Sequence, residues 1–278
     1  MGSKTAFVLG GGGPLGAHEV GMLQALLEAD VVPDLIVGTS IGAVNGAVIA
    51  SDPSTTTVAR LAELWTELGR AAVFEGSMRS RVRNIVRKQT HIFDNDALRR
   101  IVADALPVER IEQLAVPFEC VAASIERATA RYFDTGSIVD AVAASSAVPG
   151  LLPPVEIDGE HYLDGGLVAS IPLDRAVRHG ADRIFVLQVG RIEQPLVAPT
   201  RPWEVALVAF EISRRHRFSE ALHDLPDGVT VHVLPTGDPK QFNDFTQYRA
   251  GRGDAVARRI EQSYTASAAY LDEHGIGR

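Results

Sequence analysis

The sequence predicts an α/β protein: a three-layer arrangement with a largely parallel sheet covered by helices on both faces. The first observation is that short apolar runs (Thr5 to Leu9, Leu35 to Val37, Val116 to Ile125, Arg183 to Val189, Val229 to Leu234) alternate with segments of helical periodicity. Wholly apolar runs suit strands buried on both faces better than alternating ones do. The second is size and composition. At 278 residues, 46% hydrophobic and 22% charged, the chain is ordinary for a globular protein with a proper core. The third is the absence of repeats, low-complexity tracts and long linkers, so the expectation is a single domain over 1–278.

The first strand, Thr5 to Leu9, runs directly into Gly10 to Gly13, Pro14, Leu15 and Gly16. Residues 17–29 then carry Val20, Leu23, Leu26 and Leu27 on one helical face. Gly11, Gly13 and Gly16 match G-x-G-x-x-G, which admits a nucleotide-binding oxidoreductase, with Asp30 or Asp34 as the ribose acid. The competing reading is an oxyanion hole, since consecutive glycines expose backbone N–H groups with no side chains in the way. The second strand favours the latter. Leu35 to Val37 leads into Gly38-Thr39-Ser40-Ile41-Gly42 and then a helix of small residues, Ala43 to Ala50. G-x-S-x-G between a strand and a helix is the setting of a nucleophile elbow, with Gly38 and Gly42 leaving room where the chain reverses. The alternative is a turn that takes Ser40 as a helix N-cap.

Thr55 to Leu68 reads as a helix through Leu61, Leu64, Trp65 and Leu68. Met78 to Lys88 follows, rich in arginine and without an acid: a solvated face, or a patch for anionic head groups. Asp94 to Ala105 is a further helix, and Ala130 to Phe133 pairs with or continues the strand before it. Ser137 to Val148 is a small-residue helix ended by Pro149-Gly150. Asp158-Gly159 marks a tight turn, and His161 to Leu163 returns to Asp164-Gly165-Gly166. Those glycines allow a backbone or substrate to approach the acid closely; an Asx-turn is the simpler explanation. Residues 173–180 form a helix, Trp203 to Leu222 a long one with arginines near its end, and Asp254 to His274 the last. A packed helix with a solvated end is the first reading of 203–222, and peripheral membrane contact the second.

The formal charge of −8 argues against nucleic-acid binding. The lone cysteine, Cys120, excludes an internal disulfide and a cysteine-based zinc site, and it points to a reducing, cytoplasmic setting. Residues 1–6 contain no hydrophobic leader region and do not match the myristoylation pattern. No apolar stretch reaches the roughly 18–20 residues of a spanning helix.

Together, GGGGPLGAHEVGML, GTSIGAVNGA and ASSAVPGLLPPVEIDGEHYLDGG, in that order between Phe7 and Val189, resemble the patatin-like phospholipase family. The resemblance implies an α/β/α sandwich that hydrolyses acyl esters of lipids without a metal ion or other cofactor. It makes Ser40 the nucleophile, Asp164 its partner, and Gly11, Gly12 and Gly13 the oxyanion loop. This chain departs from the family pattern at Leu15, where the loop usually carries Arg or Lys, and at Ser170, where Asn often follows D-G-G.

The chemistry requires a base for the serine hydroxyl. His179, His216, His223, His232 and His274 follow the acid in sequence, but none sits in a short glycine-rich loop after a strand; His18 and His161 precede it. The expectation is therefore a Ser40–Asp164 dyad, with burial raising the Asp164 pKa toward neutrality. The N–H of Ile41 is expected to assist Gly11 to Gly13 with the oxyanion. An oxidoreductase and a non-catalytic lipid-binding relative remain the alternatives.

Overall fold

The computed structural model describes residues 3–70, 95–189, 195–237 and 253–277. The basic stretch Met78 to Lys88 lies outside the described residues. In chain order the strands are β1 (Thr5–Leu9), β2 (Leu35–Thr39), β3 (Phe118–Ser124), β4 (Thr129–Phe133), β5 (Val155–Ile157), β6 (Glu160–Asp164), β7 (Arg183–Leu187) and β8 (Thr230–Val233). The helices are α1 (Ala17–Glu28), α2 (Ile41–Ser51), α3 (Thr55–Arg70), α4 (Asp96–Ala105), α5 (Ile138–Ser145), α6 (Gly166–Ala169), α7 (Leu173–Arg178), α8 (Pro202–His223) and α9 (Gly253–Glu273).

All the strands join one sheet in the order β5-β6-β3-β2-β1-β7-β8, with β4 also on β3. The run β3-β2-β1-β7-β8 is parallel, and the antiparallel pairings are confined to β4, β5 and β6. The sheet is thus more mixed than the sequence suggests, because short turns join β3 to β4 and β5 to β6. Asp158 and Gly159 both take positive φ, 53° and 79°, as a two-residue hairpin between β5 and β6 requires.

The pleat explains why the parallel strands read as continuous apolar runs. Phe7, Leu9, Ile36, Phe118 and Phe185 face one layer, built from α1, α2, α3, α5 and α9. Ala6, Val8, Leu35, Val37, Ile184 and Val186 face the other, against Leu173 and Ala176 of α7 and Phe218 of α8. Phe7 and Phe185 are fully buried and meet edge to face at 6.0 Å. Truncating either to alanine would cost about 3–5 kcal/mol.

Candidate active site

The parallel strands β1 and β2 end on the same rim, with the glycine loop after β1 and Ser40 after β2. Ser40 adopts φ 54° and ψ −122°, a left-handed-side conformation that is strained for a residue with a Cβ. The reversal is tight enough that a Cβ on Gly42 would lie 2.5 Å from the Leu9 carbonyl oxygen. Ser40 does not cap α2 with its side chain. Its hydroxyl instead donates to Asp164 Oδ2 at 2.6 Å, and its N–H donates to Ser145 Oγ at 2.9 Å.

Strand pairing delivers Asp164. β4 covers one edge of β3 from Cys120 to Ser124. The opposite edge is shared: β2 pairs with it as far as Val121, and β6 takes over from Ala122, whose partner is Asp164. Because β6 runs antiparallel to β3, its last residue arrives head-on at the end of β2, beside Ser40. The chain must turn away at once against β3, and a Cβ on Gly165 would sit 2.1 Å from the Val121 carbonyl oxygen.

The end of α5 clamps both residues. Ser145 accepts from Ser40 N–H through its hydroxyl and from Gly165 N–H, at 3.1 Å, through its carbonyl, while Ala147 accepts from Asp164 N–H at 2.9 Å. This part of the site is not evident from the sequence, where 137–148 reads only as a small-residue helix. The available signal was a pair of serines closing a run of alanines. The helix also ends earlier than the sequence suggests, at Ser145, which leaves these groups free to face the rim.

Ser40 and Asp164 are each 7% exposed. Burial pushes the Asp164 carboxyl up to about 6, against the opposing pull of hydrogen bonds from the Ser40 hydroxyl and the Gly166 N–H. The Gly166 bond, 2.7 Å to Oδ1, is the Asx-turn contact, so the acid makes its local turn with one oxygen and meets Ser40 with the other. Among the described residues, neither group bonds a histidine. His161 contacts Glu126 and His179 contacts Glu119.

The glycine loop is not uniform. Gly11 N–H donates to the Ser170 carbonyl at 3.0 Å, whereas Gly12 and Gly13 N–H make no backbone hydrogen bond among the described residues. A Cβ on Gly11 would lie 3.4 Å from that of Ser40, so the loop passes directly over the serine. Leu15 is buried, and a cation reaches the loop from elsewhere: Arg259 of α9 donates to the Pro14 carbonyl at 3.3 Å. Behind the loop, Asn45 of α2 donates to the Gly16 carbonyl and to Glu19, and accepts from Trp65 Nε1. Among the described residues there is no cluster of His, Cys, Asp and Glu suited to a metal ion, and Cys120 is buried.

A family model described as patatin-like phospholipase matches residues 7–177, which include the glycine loop, Ser40 and Asp164. The chain belongs to the patatin-like phospholipase family. It is 33% identical over 195 residues to the lysophospholipase nte1 of Aspergillus terreus and 34% identical over 191 residues to the human patatin-like phospholipase domain-containing protein 6. These alignments cover 69% and 68% of the chain but only 12% and 14% of those proteins. Among solved structures, VipD from Legionella pneumophila superposes with a TM-score of 0.52 at 15% identity, covering 98% of this chain and 67% of that one, a likeness of fold. Membership in this family favours the patatin-like reading of the glycine loop over the nucleotide-binding one. No described helix is long and apolar enough to cross a membrane.

Proposed function

We propose that this patatin-like protein is a serine acyl hydrolase that cleaves carboxylic esters of lipids through a Ser40–Asp164 dyad. The observation that carries this reading is the 2.6 Å hydrogen bond from the strained Ser40 hydroxyl to a buried carboxyl whose pKa lies near 6. A carboxylate with that affinity takes the serine proton at neutral pH far more readily than an ordinary aspartate near 4.

In the proposed reaction Ser40 Oγ attacks the ester carbonyl carbon while Asp164 Oδ2 takes its proton. The tetrahedral oxyanion is held by N–H groups at the glycine loop and the start of α2. Gly12, Gly13 and Ile41 supply these donors; Gly11, whose amide is engaged by Ser170, contributes by having no side chain over Ser40. Collapse expels the alcohol, which receives the proton from Asp164 and leaves an acyl-serine. Water then attacks that ester, giving its proton to Asp164, and Asp164 passes that proton to Ser40 Oγ as the acyl–serine bond breaks and the fatty acid is released. Every group in this cycle belongs to the protein, so activity should survive chelation by EDTA.

Names of relatives that include a lysophospholipase support single-chain phospholipids as the first substrates to try. A lipid substrate also implies peripheral contact with a membrane surface. The test is release of fatty acid from lysophosphatidylcholine, run beside labelling with a fluorophosphonate and location of the label by mass spectrometry. Turnover with the label on Ser40 is expected. A folded protein that takes no label and releases no fatty acid would refute the reading.

A further inference from the structure

Arg217 of α8 differs from its neighbours. Arg214 and Arg215 both pair with Glu211, at 2.6 and 2.8 Å. Among the described residues Arg217 donates to backbone alone: Nη1 to the Leu167 carbonyl at 2.9 Å and Nη2 to the Gly166 carbonyl at 3.5 Å. Its Nε is buried with no hydrogen-bond partner. A partly buried guanidinium with no counter-charge among the described residues is costly, and burial lowers its pKa.

The carbonyls it holds belong to α6, and α6 ties the active site together. At its start, Gly166 N–H donates to Asp164 Oδ1 at 2.7 Å. At its end, the Ala169 carbonyl accepts from Thr39 Oγ1 at 2.8 Å, and the next carbonyl, of Ser170, accepts from Gly11 N–H. A helix of 4 residues cannot hold its shape through its own hydrogen bonds. Its orientation has to be imposed from outside.

We propose that Arg217 is a positioning residue for the acyl-transfer chemistry: by fixing the Gly166 and Leu167 carbonyls it keeps the Gly166 N–H on Asp164 Oδ1. The inference rests on the dyad reading. A cation that merely satisfies the open carbonyls of a short helix makes a different prediction, a loss of stability with no effect on how Asp164 titrates.

The direction follows from the bond. An N–H donated to a carboxylate favours the ionised form, so loosening it raises the Asp164 pKa and moves the acid limb of activity to higher pH. The groups beside the carboxyl leave that titration to Ser40 and Gly166. On β3, Glu119 is tied to Arg175 and His179, and Cys120 is a buried thiol whose pKa is pushed up. On α5, Asp140 is paired with Arg99. On the β5–β6 hairpin, Glu160 pairs with Arg127, and His161 with Glu126.

The experiment compares wild type, Arg217→Gln and Arg217→Lys by two readouts: the fluorophosphonate labelling rate of Ser40 against pH, and the 13C NMR titration of the Asp164 side-chain carboxyl, assigned by its loss in Asp164→Asn. For Arg217→Gln the acid limb and the NMR midpoint should both rise by about 0.5–1 pH unit, with a loss of labelling that is largest on the acid side. Arg217→Lys, which keeps the charge but not the fork, should fall between, and it carries the test if the glutamine variant does not fold. An equal loss of labelling at every pH with an unmoved midpoint would overturn the proposal, as would no change or a shift to lower pH. A wild type that takes no label refutes the hydrolase reading instead, and the NMR midpoints still decide the role of Arg217.

Discussion

Asp164 and Glu19 are both buried carboxyls, and their surroundings set them apart. Asp164 receives the Ser40 hydroxyl on one oxygen and the Gly166 N–H on the other, and burial lifts it only to about 6. Glu19, on α1 behind the glycine loop, is fully buried and receives the Asn45 amide on Oε2. Burial drives Glu19 well above the usual carboxylate range, outweighing hydrogen bonds from the Asn45 amide and the Gly10 backbone. One acid is lifted to about 6 beside the hydroxyl proposed as the nucleophile. The other is buried away from any reacting group and bridges α1 to α2, which through Asn45 also grips the Gly16 carbonyl and Trp65. Burial alone therefore does not make a base; the difference lies in how far burial outweighs the donors that oppose it and whether a reacting group is one of those donors.

The largest expected effects test that distinction directly. Ser40→Ala removes the proposed nucleophile and should lower ester turnover by about 10³-fold or more. Asp164→Asn, nearly isosteric but unable to accept the proton, should lower it by about 10²–10⁴-fold. Turnover of a p-nitrophenyl ester measures both, and an active Asp164→Asn enzyme would remove Asp164 from the role of base. In the wild type, kcat/KM should fall about tenfold per pH unit below the Asp164 midpoint near 6 and level off above it, because the ionised form does the work. A limb near 4 would mean that burial does not tune this acid.

A smaller effect is expected at Ser145, whose hydroxyl receives the Ser40 N–H. Ser145→Ala leaves that buried donor unpaired at a strained turn, a cost of about 1–3 kcal/mol. A lower Tm should accompany a drop in kcat of about tenfold with KM little changed, as expected if the loosened elbow misplaces Ser40. An unchanged Tm and kcat would show that the elbow holds its geometry without the clamp.

These positions also mark where the sequence is legible. The strands could be read because burial on both sheet faces demands unbroken apolar runs, and Ser40 because G-x-S-x-G writes its backbone geometry locally. Asp164 was reached through resemblance to a family, since its placement depends on β6 taking over the β3 edge where β2 stops, a pairing between residues far apart in the chain. Arg217 and Glu19 left no local mark, and Ser145 only a weak one, a pair of serines closing a run of alanines. A serine at the end of an alanine helix, an arginine near the end of a long helix and an acid in an amphipathic helix all have simpler explanations until the fold brings partners to them. Even the glycine loop, rich in signal, did not reveal that Gly11 and Gly12 differ, because only the position of the Ser170 carbonyl separates them.

The smallest effect belongs to Glu19→Gln, and it is the sharpest test of the contrast between the two acids. A carboxyl whose pKa is raised on folding keeps its proton in the native state after the unfolded chain has lost its own. Stability therefore falls as pH rises from the ordinary carboxylate range, about 4.3 for glutamate, toward the raised native value. Glutamine keeps the shape of the neutral acid and cannot ionise. Thermal unfolding should show little difference between Glu19→Gln and wild type at pH 4, and a higher Tm for the variant at pH 8. Asp164→Asn should show the same sign, with its gain already complete once the pH passes the native midpoint near 6. If Glu19→Gln is instead less stable at both pH values, the native state holds Glu19 as a carboxylate with a cation beside it. The two buried acids would then differ by their counter-charges rather than by the balance of burial against donors.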